Sequence, residues 1–228
     1  MKAMILAAGR GERLRPLTDH TPKPLLEVAG RSLIEHHLLA LAAAQVREVI
    51  INLAWLGDLI EQRLGDGQDF GLEIRYSREP GGALETAGGI QSALPLIGDA
   101  PFLVLSADVL TDFPFASLVA LEPPDFGHLV LVDNPPHHRT GDFGLTESRV
   151  SRSSPQYTYS GIGVFRPEPF AVLAPGRRPL RPLFETAIDA GQLSGELYAG
   201  QWLDVGTPER LSTARTLLRA GLNRAADS

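Results

Sequence analysis

Residues 3–18 read AMILAAGRGERLRPLT, and Thr21-Pro22-Lys23-Pro24 follows close behind. The apolar run Ala3–Ala8 is short and ends at a glycine, which is typical of a buried parallel strand. The loop after it contains two glycines and three arginines, and then a lysine that is held between prolines. Free backbone amides, guanidinium forks and a fixed ammonium group are the features that bind polyphosphates. The stretch therefore predicts a strand with a phosphate site at its carboxyl end.

The same strand-and-helix alternation continues outward from this stretch. Predicted strands are Lys2–Ala7, Arg47–Leu53, Leu72–Ser77, Pro101–Ser106, Gly127–Asp133 and Tyr157–Phe165. Predicted helices are Ser32–Ala44, Asp58–Leu64, Thr86–Leu94, Phe184–Ala190 and Pro208–Ala220. Ser32 and Glu35 have the spacing of a capping box. The pattern predicts an α/β fold, a doubly wound, mostly parallel, Rossmann-like mixed sheet with helices on both faces.

The composition restricts the possible partners. Hydrophobic residues make up 43% and charged residues 21% of 228 residues, which is ordinary for a folded chain. A net charge of −6 disfavours a nucleic-acid surface, although a nucleotide needs only a local basic cluster. Cysteine is absent, and no apolar run approaches the roughly 20 residues of a membrane helix. We therefore expect a cytoplasmic protein that binds neither nucleic acid nor membrane.

The glycine-arginine loop has two alternative interpretations. In a dinucleotide-binding fingerprint the third glycine would stand where Leu14 stands, so a nicotinamide oxidoreductase is disfavoured. A surface turn with solvated arginines is the simplest alternative. Lys23 and Lys2 are the chain's two lysines, so phosphate chemistry that uses a lysine in this loop depends on Lys23.

Two aspartates are candidate metal ligands. Asp108 directly follows an apolar strand, and Asp204 precedes a glycine turn into a helix with Thr207 as N-cap and Pro208 at its first position. Carboxylates from distant segments that meet at a phosphate form a hard oxygen site that suits Mg²⁺. A turn residue and a local helix-start hydrogen bond are the alternatives. The pair His137-His138 is expected to be solvated rather than to bind metal.

The set of motifs resembles the sugar-1-phosphate nucleotidylyltransferase family. The resemblance rests on the opening signature Leu6–Thr18 with Pro22–Pro24, and on four later segments: Leu84–Gly89, Leu105–Asp108, Tyr159–Phe165 and Trp202–Pro208. It implies a sheet of the nucleotidyltransferase type and a transfer of a nucleoside monophosphate from a nucleoside triphosphate to a sugar 1-phosphate. No linker in the sequence separates two cores, so we expect a single domain over residues 1–222 and a frayed tail (223–228). The resemblance divides this domain into a nucleotide-binding half (1–110) and a sugar-binding half (111–222).

The resemblance implies a role for each matching residue. Arg13, Lys23 and Asp108 are the expected catalytic residues, and Asp108 and Asp204 the expected ligands of Mg²⁺. The expected nucleotide contacts are Ala7, Ala8, Gly9, Gly11, Glu12, Arg13, Lys23, Glu79, Gly82, Thr86 and Ala107. The expected sugar contacts are Gly144, Tyr159, Ser160 and Gly161.

Substrate identity is less constrained by the motifs. The amino-acid sequences of the segments Leu84–Gly89 and Tyr159–Phe165 favour UTP with N-acetylmuramate 1-phosphate. GTP with mannose 1-phosphate is the alternative. A nucleotide-sugar sensor without turnover is an alternative of another class, and a monomer or small homo-oligomer is expected. The family's second lysine is missing, so Arg149 or Arg152 could replace it at the sugar phosphate, or Lys23 could act alone. Arg139 or Arg152 could bind the lactyl carboxylate of a muramate.

Overall fold

The computed structural model describes residues 1–226, with side chains through Leu218. Thirteen strands are present in the described residues: β1 Lys2–Leu6, β2 Glu27–Val28, β3 Arg31–Ser32, β4 Glu48–Leu53, β5 Glu73–Arg78, β6 Phe102–Ser106, β7 Val109–Thr111, β8 Gly127–Asp133, β9 Gly144–Thr146, β10 Arg149–Ser151, β11 Tyr157–Phe165, β12 Leu193–Tyr198 and β13 Trp202–Asp204. Seven helices accompany them: α1 Leu33–Ala43, α2 Gly57–Leu64, α3 Glu85–Ile97, α4 Ala116–Val119, α5 Glu168–Ala171, α6 Arg181–Asp189 and α7 Pro208–Ala226. None of these described helices is both long and apolar enough to span a membrane.

Nine strands form one sheet in the order β5-β4-β1-β6-β11-β8-β12-β10-β9. The first four run parallel to one another. β11 is antiparallel to β6 and β8, β12 is parallel to β8, and β10 and β9 complete the edge in antiparallel pairing. The predicted fold class is confirmed, with the continuous parallel part in the first half of the chain and mixed pairing in the second.

Helices cover both faces of the sheet, as the doubly wound pattern predicts. Along β1, Ala3 and Ile5 pack with α1 and α2 on one face, whereas Met4 packs with α3 and α6 on the other. All three side chains are fully buried. Complete burial of an aliphatic side chain contributes about 1.5–3 kcal/mol, so this strand is a main source of stability.

A third, smaller core lies under α7 and anchors the glycine-arginine loop. It joins Leu14 from the loop to Leu33, Val205 and Leu211, and Leu14 is fully buried. The residue that breaks the dinucleotide fingerprint is therefore the hydrophobic anchor of this loop.

The predicted starts of α1 and α7 are confirmed, whereas other helix bounds differ. α6 begins at Arg181, three residues before the predicted Phe184, and α3 ends at Ile97, three residues past the predicted Leu94. The Glu35 carboxylate accepts the Ser32 N–H at 2.7 Å, and the Thr207 hydroxyl accepts the Arg210 N–H at 3.4 Å. Helix α7 continues through Ala226, past the predicted end at Ala220. Of the expected frayed tail, residues 227–228 lie outside the described residues.

Small strand pairs that the sequence pattern did not predict surround the site. β13 pairs with β7 and β2 with β3, each as an antiparallel two-stranded sheet. The pairing of β13 with β7 places Asp204 opposite Val109, directly beside Asp108.

Candidate active site

The loop after β1 is folded tightly around Gly11. This glycine has φ +67°, and an added Cβ would lie 3.1 Å from Thr18 Cγ2 and 3.2 Å from Lys23 Cβ. The Gly11 carbonyl accepts the Leu14 N–H and the Thr18 hydroxyl, both at 2.9 Å. A side chain at position 11 would therefore disturb both the backbone conformation and the seat of Lys23.

Lys23 lies in a buried 3₁₀ turn that begins after Pro22. Its side chain is 11% exposed, and its Nζ forms an ion pair with the Asp108 carboxylate. Asp108 follows the carboxyl end of β6, while the loop that carries Lys23 follows the carboxyl end of β1. The parallel pairing of β1 and β6 brings the two groups to the same edge of the sheet.

A buried polar network supports the loop from below. The side-chain oxygen Oδ1 of Asn52 accepts the Ala7 N–H at 2.8 Å, and its side-chain Nδ2 donates to Glu79 Oε1 at 2.7 Å. Glu79 Oε2 in turn accepts the Leu84 N–H at 2.7 Å. Asn52 and Glu79 are each 3% exposed. Since buried polar groups are costly unless paired, this chain of bonds holds three loops in one arrangement.

The first cavity, here named the loop cavity, has a volume of about 340 Å³. It is lined by Leu6, Ala7, Ala8, Gly9, Gly11, Lys23, Pro24, Asn52, Glu79, Ala83, Glu85, Thr86, Ser106, Ala107 and Asp108. Eight of the predicted nucleotide contacts are in this set, and a further two, Glu12 and Gly82, are exposed residues outside it.

The second cavity, here named the aromatic cavity, has a volume of about 480 Å³. It shares a wall with the loop cavity, and the shared residues are Leu6, Glu85, Thr86 and Ser106. Its other lining residues are Asp142, Phe143, Tyr159, Pro179, Leu180, Arg181 and Phe184. Burial raises the pKa of the Tyr159 phenol well above its ordinary value, so this group stays neutral. The two cavities form one continuous groove.

The predicted sugar contacts surround the aromatic cavity unevenly. Tyr159 lines it, whereas Gly144 and Ser160 are buried in the adjoining strands. Gly161 lies in a bulge of β11 at φ +81°, where an added Cβ would come within 2.7 Å of the Ser106 hydroxyl. Gly161 shapes the cavity wall, because β11 can approach Ser106 this closely only when position 161 has no side chain. Gly144 and Ser160 belong to the strands behind this wall.

The third cavity, here named the arginine cavity, has a volume of about 670 Å³ and adjoins Asp204. Its lining includes Arg13, His137, Trp202, Leu203 and Arg210. Arg13, an expected nucleotide contact, therefore lines the arginine cavity and is not among the residues that line the loop cavity with Lys23 and Asp108. Its guanidinium lies against Gly206, where an added Cβ would be 3.1 Å from Arg13 Nη2.

Asp204 is held by an arginine and a histidine. Arg210 Nη1 donates to Asp204 Oδ1 at 2.9 Å, and His137 Nε2 lies 3.0 Å from the same oxygen. The Asp108 carbonyl accepts the Val205 N–H at 2.7 Å, so the two predicted metal ligands are backbone neighbours. The histidine that was expected to be solvated is about 40% exposed and is a partner of Asp204.

The donor set fits a magnesium ion that is bound partly by substrate. The described residues contain no group of three or more histidine and acidic side chains that could enclose a metal alone. Two neighbouring carboxylates together with phosphate oxygens are, however, the usual protein environment of Mg²⁺. Asp108 and Asp204 provide that pair, each paired at present with a cationic side chain.

Several site residues had no individual signal in the sequence. Asn52 is the penultimate residue of β4, and its position near the carboxyl end of a buried strand could have identified it. Arg181 reaches the aromatic cavity, and Arg210 and His137 reach the arginine cavity, from segments far apart in the chain. Arg149 and Arg152, the suggested replacements for the second lysine, are exposed outside these cavities, and Arg152 pairs with Asp189 at 2.7 Å.

Comparison with known proteins identifies relatives along nearly the whole chain. The nucleotidyl transferase family model matches residues 2–220. N-acetylmuramate alpha-1-phosphate uridylyltransferase of Neisseria meningitidis is 50% identical, with 96% of this chain and 99% of that protein covered. The protein of the same name from Caulobacter vibrioides is 34% identical over 95% and 96% of the two chains. The mannose-1-phosphate guanylyltransferase catalytic subunit beta of Danio rerio is 34% identical over 93% of this chain and 63% of that one.

The fold also has solved counterparts. A Bacillus anthracis protein, described as a glucose-1-phosphate thymidylyltransferase and crystallised with sucrose, superposes with a TM-score of 0.85 at 24% identity. The superposition covers 96% of this chain and 95% of that one. At this identity the likeness establishes the shared α/β architecture.

Proposed function

This chain belongs to the nucleotidyl transferase family, and we propose that it transfers uridylate from UTP to N-acetylmuramate 1-phosphate and releases pyrophosphate. The general activity, nucleotidyl transfer to a sugar 1-phosphate, follows from the family and its full-length relatives. The choice of UTP and the muramyl sugar is supported by the 50% identical relative of that name.

One observation carries the proposal: Lys23 and Asp108 meet at the carboxyl ends of β1 and β6, in a groove that continues into a second cavity. A nucleoside triphosphate in the loop cavity and a sugar in the aromatic cavity would bring their phosphates together beside Lys23. Such positioning converts a bimolecular reaction into an effectively unimolecular one.

The reaction needs charge neutralisation more than proton transfer. An oxygen of the sugar phosphate attacks the α-phosphorus, the bond to the β-phosphate oxygen breaks, and pyrophosphate leaves. The attacking oxygen is already anionic, so no general base is required. The Lys23 ammonium neutralises oxygens at the reacting phosphorus, and Arg13 with the amides of residues 11–13 stabilises the departing pyrophosphate.

Asp108 and Asp204 are the residues that would hold magnesium. When bound, the ion supplies positive charge to phosphate oxygens. Lys23 pairs with Asp108 and Arg210 pairs with Asp204, so each carboxylate is oriented by a cationic side chain.

The product would be a UDP-sugar, which suits the recycling of cell-wall precursors. A nucleoside triphosphate substrate implies that the reaction takes place in the cytoplasm.

The test is a grid of four nucleoside triphosphates against several sugar 1-phosphates, with pyrophosphate release as the readout. We expect the highest kcat/KM for UTP with N-acetylmuramate 1-phosphate, and an absolute requirement for a divalent cation. Highest turnover of GTP with mannose 1-phosphate would replace the proposed substrates and leave the reaction unchanged. Nucleotide binding without pyrophosphate release from any pair would favour a sensor.

A further inference from the structure

The aromatic cavity contains a single cationic group among the described residues that line it, and that group is Arg181. Arg181 begins α6, and its side chain is 48% exposed. The remaining lining is dominated by the rings of Phe143, Tyr159 and Phe184. The polar side chains that also line it, Glu85, Thr86, Ser106 and Asp142, carry no positive charge. The one arginine is therefore the group in this cavity that can attract an anion.

The guanidinium of Arg181 is oriented by its neighbours. It lies over the Phe143 ring, 4.6 Å from the centroid, and its Nε donates to Glu185 Oε1 at 2.9 Å. A cation over a ring face and a close pair one turn away both restrict the side chain. The Arg181 guanidinium group is therefore held in place before any ligand binds.

Two of its nitrogen atoms keep free donor capacity. Arg181 Nη1 is 3.5 Å from Asp142 Oδ1, and Nη2 is 3.4 Å from the Asp142 carbonyl. Both distances are longer than those of a charge-assisted hydrogen bond. The Asp142 carboxylate is itself occupied, since Oδ2 accepts the Tyr159 N–H at 2.9 Å and Oδ1 lies 3.2 Å from His138 Nε2.

Arg181 and Lys23 lie in different parts of the groove. Lys23 lines the loop cavity and Arg181 lines the aromatic cavity, with Glu85 and Thr86 in the wall between them. A ligand with a phosphate at one end and a second anionic group at the other matches this arrangement. N-acetylmuramate 1-phosphate is such a molecule, with its phosphate on C1 and the carboxylate of the lactyl ether on C3.

We propose that Arg181 is the specificity-determining residue that binds the lactyl carboxylate of the sugar, through its two Nη groups. This proposal rests on the proposed function, and it specifies which residue reads the feature that separates a muramyl sugar from other N-acetylhexosamines. A planar fork matches a carboxylate with two parallel hydrogen bonds, whereas a sugar without the carboxylate gains nothing from it. The earlier candidates differ, because Arg152 is paired with Asp189 and Arg139 is exposed outside this cavity.

The test compares N-acetylmuramate 1-phosphate with N-acetylglucosamine 1-phosphate, which differs only by the lactyl group. For Arg181→Met we expect kcat/KM for the muramyl substrate to fall about 10- to 100-fold, with less than threefold change for the other sugar. Arg152→Met, the matched control, should change neither value. Calorimetry with the two corresponding UDP-sugars, which should show the same selective loss of affinity, covers the case of turnover too slow to measure.

Two outcomes would overturn this assignment. An equal loss on both sugars would mean that Arg181 binds the common phosphate or supports the cavity wall. Unchanged values on both would mean that the lactyl carboxylate is bound elsewhere. Failure of the proposed function is a separate result, since wild-type enzyme would then release no pyrophosphate from UTP with the muramyl substrate.

Discussion

The two cavities of the groove are built by different means. The loop cavity depends on buried polar contacts, with Asn52 and Glu79 each 3% exposed and Lys23 paired to Asp108. The aromatic cavity depends on rings and on one exposed arginine, Arg181. Buried networks have one favourable arrangement, whereas exposed ion pairs contribute little to stability. The comparison indicates that the polar network of the loop cavity is coupled to folding. In the aromatic cavity the rings of Phe143 and Phe184 belong to the core, whereas the exposed Arg181 can vary with little cost to stability.

Lys23→Ala tests the loop cavity where the largest effect is expected. Removing one preorganised group that stabilises transition-state charge costs on the order of 3–4 kcal/mol, so kcat should fall about 10²- to 10³-fold. Steady-state pyrophosphate release measures this loss. Lys2→Ala is the natural control, because Lys2 is the other lysine and pairs with Glu48 at the far end of β1. Near-normal turnover by Lys23→Ala would exclude the assigned role.

His37, a buried histidine on α1, should make the stability of the fold depend on pH. Burial lowers the pKa of His37 from 6.5 to about 4, and its Nε2 has no hydrogen-bond partner among the described residues. Between these pH values the unfolded chain binds a proton that the folded one does not, so stability decreases as pH falls through this window. At pH 5 the loss should be about 2 kcal/mol relative to pH 7.

Urea unfolding at pH 7 and pH 5 checks this expectation. His37→Leu should show a pH-dependent loss smaller by about 2 kcal/mol than that of wild type. His20→Ala, at an exposed position, should retain the wild-type dependence. If wild type and His37→Leu lose equal stability between the two pH values, the buried histidine is not the cause.

The sequence predicts the loop cavity better than it predicts the aromatic cavity. The order of strands and helices in the parallel half followed from short apolar runs that end at glycine or aspartate, and Lys23 and Asp108 were found in this way. The bond between Asn52 and Glu79 joins residues 27 positions apart, and that spacing has no sequence signature. Arg181, Arg210 and His137 come from three separate segments, and only the packing of the whole fold brings them to the cavities. No local sequence pattern therefore predicts them.

Gly89→Ala tests how closely α3 packs on the buried network. An added Cβ would lie 2.8 Å from Glu79 Oε1 and 2.9 Å from Asn52 Nδ2, both of which are fixed by hydrogen bonds. Since both contacts are shorter than 3.0 Å, we expect the upper part of the overpacking range, about 2–3 kcal/mol. Alanine gains roughly 1 kcal/mol over glycine in a helix, so the net loss in denaturant unfolding should be about 1–2 kcal/mol. Gly81→Ala, where a Cβ meets open space, should be within about 0.5 kcal/mol of wild type.

Glu85 lies in the wall between the two cavities, and it combines features of both. It begins α3 with φ +58°, a left-handed conformation that costs a non-glycine residue about 1 kcal/mol or more. Its carboxylate pairs with the exposed Arg177 at 2.8 Å, a contact that contributes little. Glu85→Gly should therefore raise the free energy of unfolding by about 1 kcal/mol, the smallest change in this series.

Thermal and urea unfolding of Glu85→Gly and Glu85→Ala separate the backbone effect from the side chain. Both variants lose the pair with Arg177, but only glycine relieves the positive φ, so glycine should be the more stable by about 1 kcal/mol. Equal stability of the two variants would show that the left-handed conformation carries no cost at this position. In that case the wall between the cavities would contain no backbone strain at Glu85, and the two cavities would differ only in their side-chain contacts.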